Sequence, residues 1–224
     1  MIYSQLFHPV IKMFYICYNI RMISNYETAK HNAASLFMEY NQREIISDWN
    51  LKSDADFIYL VFIGKHYRVN RSSGLIERIE EAGAFSEAGY NEAMTIYDLL
   101  CHNKAKVSLS NEMVELRNLS EAQTAWGSND RTFYEKECAA FDKDESLLIS
   151  GLERIGGIRT DGADVAFLVP VFRDIFVVVK FWHSDEDFPA IIKFYWDKNI
   201  KSYMHFETLW FACGHIVHEI FFNF

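Results

Sequence analysis

Asp164–Phe172 (DVAFLVPVF), Ile175–Trp182 (IFVVVKFW) and Ala190–Trp196 (AIIKFYW) are three apolar, β-branched and aromatic runs in close succession, and they decide the fold. Arg173-Asp174 alone separates the first two, the spacing of a two-residue hairpin turn. Val177-Val178-Val179 shows no polar alternation, so this sheet is expected to be covered on both faces. After the third run, Phe206, Leu209, Trp210, Cys213, Val217, Ile220 and Phe221 recur at helical spacing and predict one long closing helix. Upstream, Phe57–Ile63 and His66–Asn70 flank Gly64-Lys65 as a second hairpin. Ser72-Ser73-Gly74 then turns the chain into Leu75–Ile79, and Met113–Leu116 is a further short strand. Helical patterns cover Asn25–Ile46, the Ala93, Ile96, Tyr97, Leu100 set, Thr132–Phe141 and Glu145–Ile155, the last closed by Gly156-Gly157. Short strands on tight turns with helices grouped around them predict a single α+β domain, its sheet mainly antiparallel.

The chain has 224 residues, 50% of them hydrophobic and 16% aromatic, which is enough for a core that needs no disulfide or metal staple. A net charge of -9 argues against a nucleic-acid binder and against attraction to an anionic membrane surface. Cys17, Cys101, Cys138 and Cys213 form no C-x-x-C pair and read as small hydrophobes of a reducing cytoplasm. At the N-terminus the apolar stretch Met13–Tyr18 is too short to span a bilayer, and no small-residue cleavage site follows it. Ser24-Asn25-Tyr26-Glu27 has capping-box spacing. Residues 1–21 are therefore read as an extension of the kind a mis-assigned start adds, and the domain as residues 22–224.

Trp182-His183-Ser184-Asp185-Glu186-Asp187-Phe188-Pro189 carries a W-x-x-D-acid-acid-F-P pattern between two strands. With Gly156-Gly157, Gly162–Phe167, Pro170-Val171-Phe172 and Phe194-Tyr195-Trp196-Asp197, it resembles the prokaryotic family called domain of unknown function 3786. Phe62, Gly64, Tyr67 and Val69 match more weakly, and the likeness runs from about Asn25 to the end. The resemblance implies a domain boundary and no activity. The resemblance implies a family typical of anaerobes, some of whose members carry a four-cysteine iron–sulfur segment ahead of this domain; the N-terminal region here holds only Cys17, so no cluster is expected.

Two groups of residues stand out as candidate sites. The loop Trp182, Asp185, Glu186, Asp187 and Phe188 offers carboxylates to a hard cation, or else is a solvated turn over packed Trp182 and Phe188 rings. Asp197 does not join it: an extended Ala190–Trp196 carries it roughly 20 Å away, where it reads as a turn residue bonded to its own backbone. The second group is Phe211, His215, His218 and Phe222, which the wheel places about 120–180° from the core stripe of the last helix. They form a candidate partner or self-association surface, or a face covered within the monomer. His215 and His218 lie about 60° apart and Cys213 about 160° from His215, so no metal is expected there. Cys101-His102 point about 100° apart, and no nucleotide, hydrolase or metalloprotease motif is present. The expectation is a cytoplasmic binding or accessory domain for a metabolic protein, with an unidentified protein partner or small ligand and no cofactor. The alternative is a small metal- or carboxylate-dependent enzyme with its site near Asp185–Asp187.

Overall fold

The computed structural model describes residues 25–80, 83–102, 108–119 and 134–222. The expected extension, Ser24 of the first cap and Cys17 lie outside these residues. The fold is α+β, as expected, but among the described residues it holds two antiparallel sheets of five strands. In the first, β1 (Lys52–Ser53), β2 (Phe57–Phe62), β3 (Lys65–Asn70), β4 (Ile76–Ile79) and β5 (Phe85–Glu87) follow one another in sequence order. The second contains β6 (Met113–Glu115), β7 (Ile158–Arg159), β8 (Val165–Phe172), β9 (Ile175–Trp182) and β10 (Ile191–Asp197), in the order β6-β10-β9-β8-β7.

The first hairpin turns at Ile63-Gly64, one residue earlier than expected, with φ of 46° and 70°. A β-branched residue at positive φ is unfavourable by itself. Tertiary contacts hold it: the Ile63 side chain is buried and its N–H donates to the Val171 carbonyl of β8 at 2.9 Å. Gly64 is required at the same turn, since a Cβ there would sit 2.6 Å from the Ile155 carbonyl oxygen. The turn is therefore the joint between the two sheets.

The second sheet is less covered than its sequence suggests. Ile175, Val177, Val179 and Phe181 of β9 are buried, but Phe176, Val178, Lys180 and Trp182 alternate with them as half-buried residues. The outer face is shielded by long side chains, among them Lys180, whose ammonium lies 4.9 Å from the centroid of the Tyr195 ring. A continuous apolar run need not be covered equally on both sides.

Helix α1 covers 25–37, and α2 (Gln42–Asp48) is separate from it, although one continuous helix was expected. Asn41 explains the break: its side chain accepts from Arg43 N–H and donates to Glu44, which starts a new helix. The remaining helices are α3 (Tyr90–Cys101), α4 (Glu135–Lys143), α5 (Glu145–Arg154) and α6 (Phe206–Phe222). Helix α6 packs on α3 and α5, with Gly151 of α5 at a close approach where a Cβ would meet Ile220 at 2.6 Å. Among the described residues, no helix is long and apolar enough to cross a membrane.

Candidate functional site

Gly89 caps helix α3, and three residues later the Glu92 carboxylate reaches back to accept the Gly89 N–H. This ordinary capping contact turns Glu92 inward, where it is 7% exposed. Opposite it, Tyr67 of β3 and Arg78 of β4 are register partners, so they project side by side from one face of the first sheet. Helix α6 adds His215 and Glu219, four residues and one turn apart.

These five side chains meet in a buried network. The Arg78 guanidinium donates to both Glu219 oxygens, at 2.6 and 3.3 Å, and its Nη1 lies 3.3 Å from Glu92 Oε1. The Tyr67 hydroxyl donates to the same Glu92 oxygen at 2.6 Å, and Lys65 Nζ lies 3.9 Å from Glu219. His215 Nε2 is 3.5 Å from the Tyr67 oxygen, 3.7 Å from Glu92 and 3.9 Å from Glu219, and the ring stacks on Phe62. Glu92, His215 and Glu219 present donor atoms within 4.8 Å of one another, as a metal site needs. The Arg78 guanidinium, however, already bridges the two carboxylates. A charge-compensated ion pair fits these atoms better than a metal ion does.

Burial holds the Tyr67 hydroxyl above its ordinary pKa, and the neighbouring Glu92 carboxylate reinforces this. Burial alone would raise the Glu219 carboxyl, but the Arg78 hydrogen bonds, His215 and Lys65 outweigh it and leave the pKa lowered. For His215 burial dominates, and the ring is held below its ordinary pKa of 6.5 despite the two carboxylates. Arg78 and His218 also face it and favour the neutral ring.

As pH falls through about 6.5, the unfolded chain takes up a proton at His215 that the folded protein resists, so folding weakens toward acid. His183 works in the opposite sense, because Glu145 and Asp142 raise its pKa. Urea melts between pH 7 and pH 5 are therefore expected to show less acid destabilisation in His215→Gln than in the wild type. Identical pH profiles would remove the buried ring from the account.

Arg78, Glu92, His215 and Glu219 form the floor of a cavity of about 840 Å³. Its walls include Tyr90, Tyr134 and Phe211, with Glu137 and His218 at the lining as well. Gly214 keeps the floor open, because a Cβ there would lie 3.2 Å from the Asn91 amide nitrogen and 3.7 Å from the Tyr134 hydroxyl.

The proposed partner surface on α6 is split by this arrangement. His215 is 3% exposed and faces inward, so it is not on an open surface. Phe211 is half-buried against Tyr90, ring centroids 5.4 Å apart, while His218 is exposed. The Phe222 side chain lies outside the described residues. Sequence reasoning pairs His215 with His218 at i+3, but its partner within α6 is Glu219 at i+4. Glu92 and Arg78 were missed. Gly89 followed three residues later by Glu92 is the only local signal for the first, and none exists for Arg78, whose position depends on strand register.

The acidic loop is placed differently from the expectation. Asp185 accepts from the N–H groups of Asp187 and Phe188, at 2.9 and 2.7 Å, and so closes its own turn. Phe188 does not pack beneath the loop; it is 70% exposed. Trp182 is half-buried, and the fully buried ring is that of Phe181. His183 anchors the loop, its two ring nitrogens 2.9 Å from Asp142 and 2.8 Å from Glu145, while the Ser184 hydroxyl donates to Asp142 at 2.6 Å. Among the described residues, the acid and histidine groups that converge closely enough to share an ion lie elsewhere.

Asp197 behaves as its turn position suggests and does more. It accepts from Asn199 N–H at 2.8 Å and also from Ser110 and Asn111, tying a distant loop to the end of β10. Burial alone would raise its pKa, but these donors lower it. Cys101, Cys138 and Cys213 are free, and burial pushes the first two thiols up to about 12 and about 11. They are poor nucleophiles.

No curated protein and no solved structure matches the chain. The scaffold that frames the buried network, from the first residue of α2 to Glu219, is what a family comparison recognises: residues 42–219 match the domain of unknown function DUF3786, and the chain belongs to that family.

Proposed function

We propose that this domain is a binding module for a small organic cation, seated in the cavity above Arg78, Glu92, His215 and Glu219. The observation that carries the reading is the composition of the lining. Three carboxylates, Glu92, Glu137 and Glu219, line it with the Arg78 guanidinium, and with Lys65 behind Glu219 one negative charge remains in excess, beneath walls of Tyr90, Tyr134 and Phe211. Aromatic faces with excess negative charge attract a cation bearing a flat or apolar body. The buried ion pairs also keep the floor rigid before a ligand arrives, which lowers the ordering cost of binding. Single free thiols and a net charge of -9 support placing this activity in the cytoplasm, as an accessory domain.

Calorimetric titration with benzamidine tests the proposal, with sodium benzoate as the anionic control of the same shape. Benzamidine is expected to bind, and more weakly to Glu137→Gln and Phe211→Ala. Equal binding of benzoate, or no binding of benzamidine, sinks it. A second reading, an enzyme, rests on His215: burial keeps the ring neutral, so it can accept a proton beside a phenol and two carboxylates. This reading sets the alternative, an enzyme, at the buried cluster and not at the Asp185–Asp187 loop. If the His215 imidazole resonance does not move when benzamidine binds, the ring is out of reach and that second reading fails.

A further inference from the structure

At the end of α3 opposite the Gly89–Glu92 turn, a second cluster forms between α3 and α6. Asp98 and His102 stand four residues apart, so they share one helix face. His205 immediately precedes α6. Each of the three offers one donor atom, and these atoms lie within 4.8 Å of one another. We propose that Asp98, His102 and His205 form a site for a divalent transition-metal ion of the zinc class, which pins the end of α3 to the start of α6.

The donor chemistry is two imidazoles and one carboxylate, which suits zinc with water in the remaining position. Zinc–ligand bonds of about 2.0–2.2 Å separate neighbouring donors by roughly 3.3 Å in a tetrahedron. His205 Nδ1 now lies 2.6 Å from Asp98 Oδ1, so that pair opens by less than 1 Å, and the rest closes from within 4.8 Å. Side-chain rotation supplies such movements without moving either helix.

The surroundings orient the ligands in the way metal sites do. Asp98 Oδ2 accepts from the His205 backbone N–H at 2.6 Å and from the Thr208 hydroxyl, while Oδ1 is hydrogen-bonded to His205 Nδ1, so the ion would replace the proton between that pair. His102 Nε2 lies 3.3 Å from the Lys201 carbonyl, so in the Nε2–H tautomer its Nδ1 is the free donor. The two rings already touch, with centroids 3.7 Å apart. The electrostatics differ from those of the Glu92 cluster. Among the described residues, no guanidinium bridges these donors; the Lys201 ammonium lies against the Leu119 carbonyl at 3.3 Å. The Asp98 carboxylate supplies a negative charge for a dication to neutralise. The C-terminal carbonyls of α3 favour a cation, while the N-terminus of α6 opposes it, and Asp98 offsets that opposition.

Such an ion would fix the α3–α6 pair that carries Glu92 at one end and His215 with Glu219 on the other partner. The site is independent of the cation-binding proposal and stands or falls separately.

The test is calorimetric titration of zinc chloride into the full chain, freed of any affinity tag, at pH 7.5. The expected result is one zinc ion per chain, with affinity lowered on the order of 100-fold or more in His102→Gln and in His205→Gln. His205 is exposed, so its variant is expected to fold normally. His215→Gln is expected to bind as the wild type does. The proposal is overturned by an absence of zinc binding, by equal binding in either the His102 or the His205 variant, or by loss in His215→Gln instead. The last outcome would move the ion to the buried cluster.

Discussion

Arg78→Met is expected to cost about 3–5 kcal/mol of stability, the range for removing one partner from a buried ion pair. The reason is what it leaves behind. Glu219 has a fully buried side chain whose two oxygens both accept from Arg78, and Glu92 loses a neighbouring cation in the same step. Lys65, 3.9 Å from Glu219, is too distant to take over both contacts. The double variant Arg78→Met, Glu219→Met is expected to recover most of the loss, because a buried pair replaced whole by apolar groups is often neutral. Urea denaturation of the two single variants and the double gives the coupling directly. A single-variant loss below about 1 kcal/mol would mean that water reaches the carboxylates through the cavity and that the network is not a dry floor.

Trp196→Ala is expected to be as severe, about 3–5 kcal/mol, and Trp182→Ala about half of that or less. Trp196 is fully buried and sits on β10 between β9 and β6, opposite Val177 and Val114. Trp182 ends β9 and is half-buried at the margin of the acidic loop. Sequence reasoning treats Trp182 as the anchor of that loop, since it stands next to the acidic run. The structure gives the anchoring to His183, through Asp142 and Glu145, and the deepest packing to Phe181 and Trp196. Denaturant melts followed by circular dichroism rank the two tryptophans, and the reverse order would contradict this assignment.

Features governed by neighbours in the chain are legible in the sequence. The Arg173-Asp174 turn, the Gly156 stop after α5 and the Asp197 turn all depend on residues within a few positions of one another. The Asn41 cap of α2 is equally local, since Asn41 and Glu44 stand three apart, but the helical pattern around it concealed the break. The acidic loop shows the limit. Its Asp185 turn is local, whereas the exposure of Phe188 depends on what lies beneath, and adjacency to a tryptophan says nothing about that.

The candidate site lies beyond this limit because its members come from four elements. His215 drew attention for its place on the closing helix, yet its face was taken as the outer one. The helical wheel measures angle from the main apolar stripe and does not register that Phe62, Tyr67 and Arg78 of the first sheet cover His215 and Glu219. Tyr67 and Arg78 become neighbours only through the β3–β4 register, and Glu92 reaches them only because α3 packs on α6.

By itself the sequence determined the fold class, the antiparallel strand runs and their tight turns, and the closing helix. Hydrophobic period and turn chemistry act over a few residues, so one chain carries that information in order. The division into two sheets, the inward face of α6, and the meeting of Arg78, Glu92, His215 and Glu219 were decided by tertiary structure alone. Burying charged groups is favourable only where partners arrive from distant segments, and no local pattern records which segments those are.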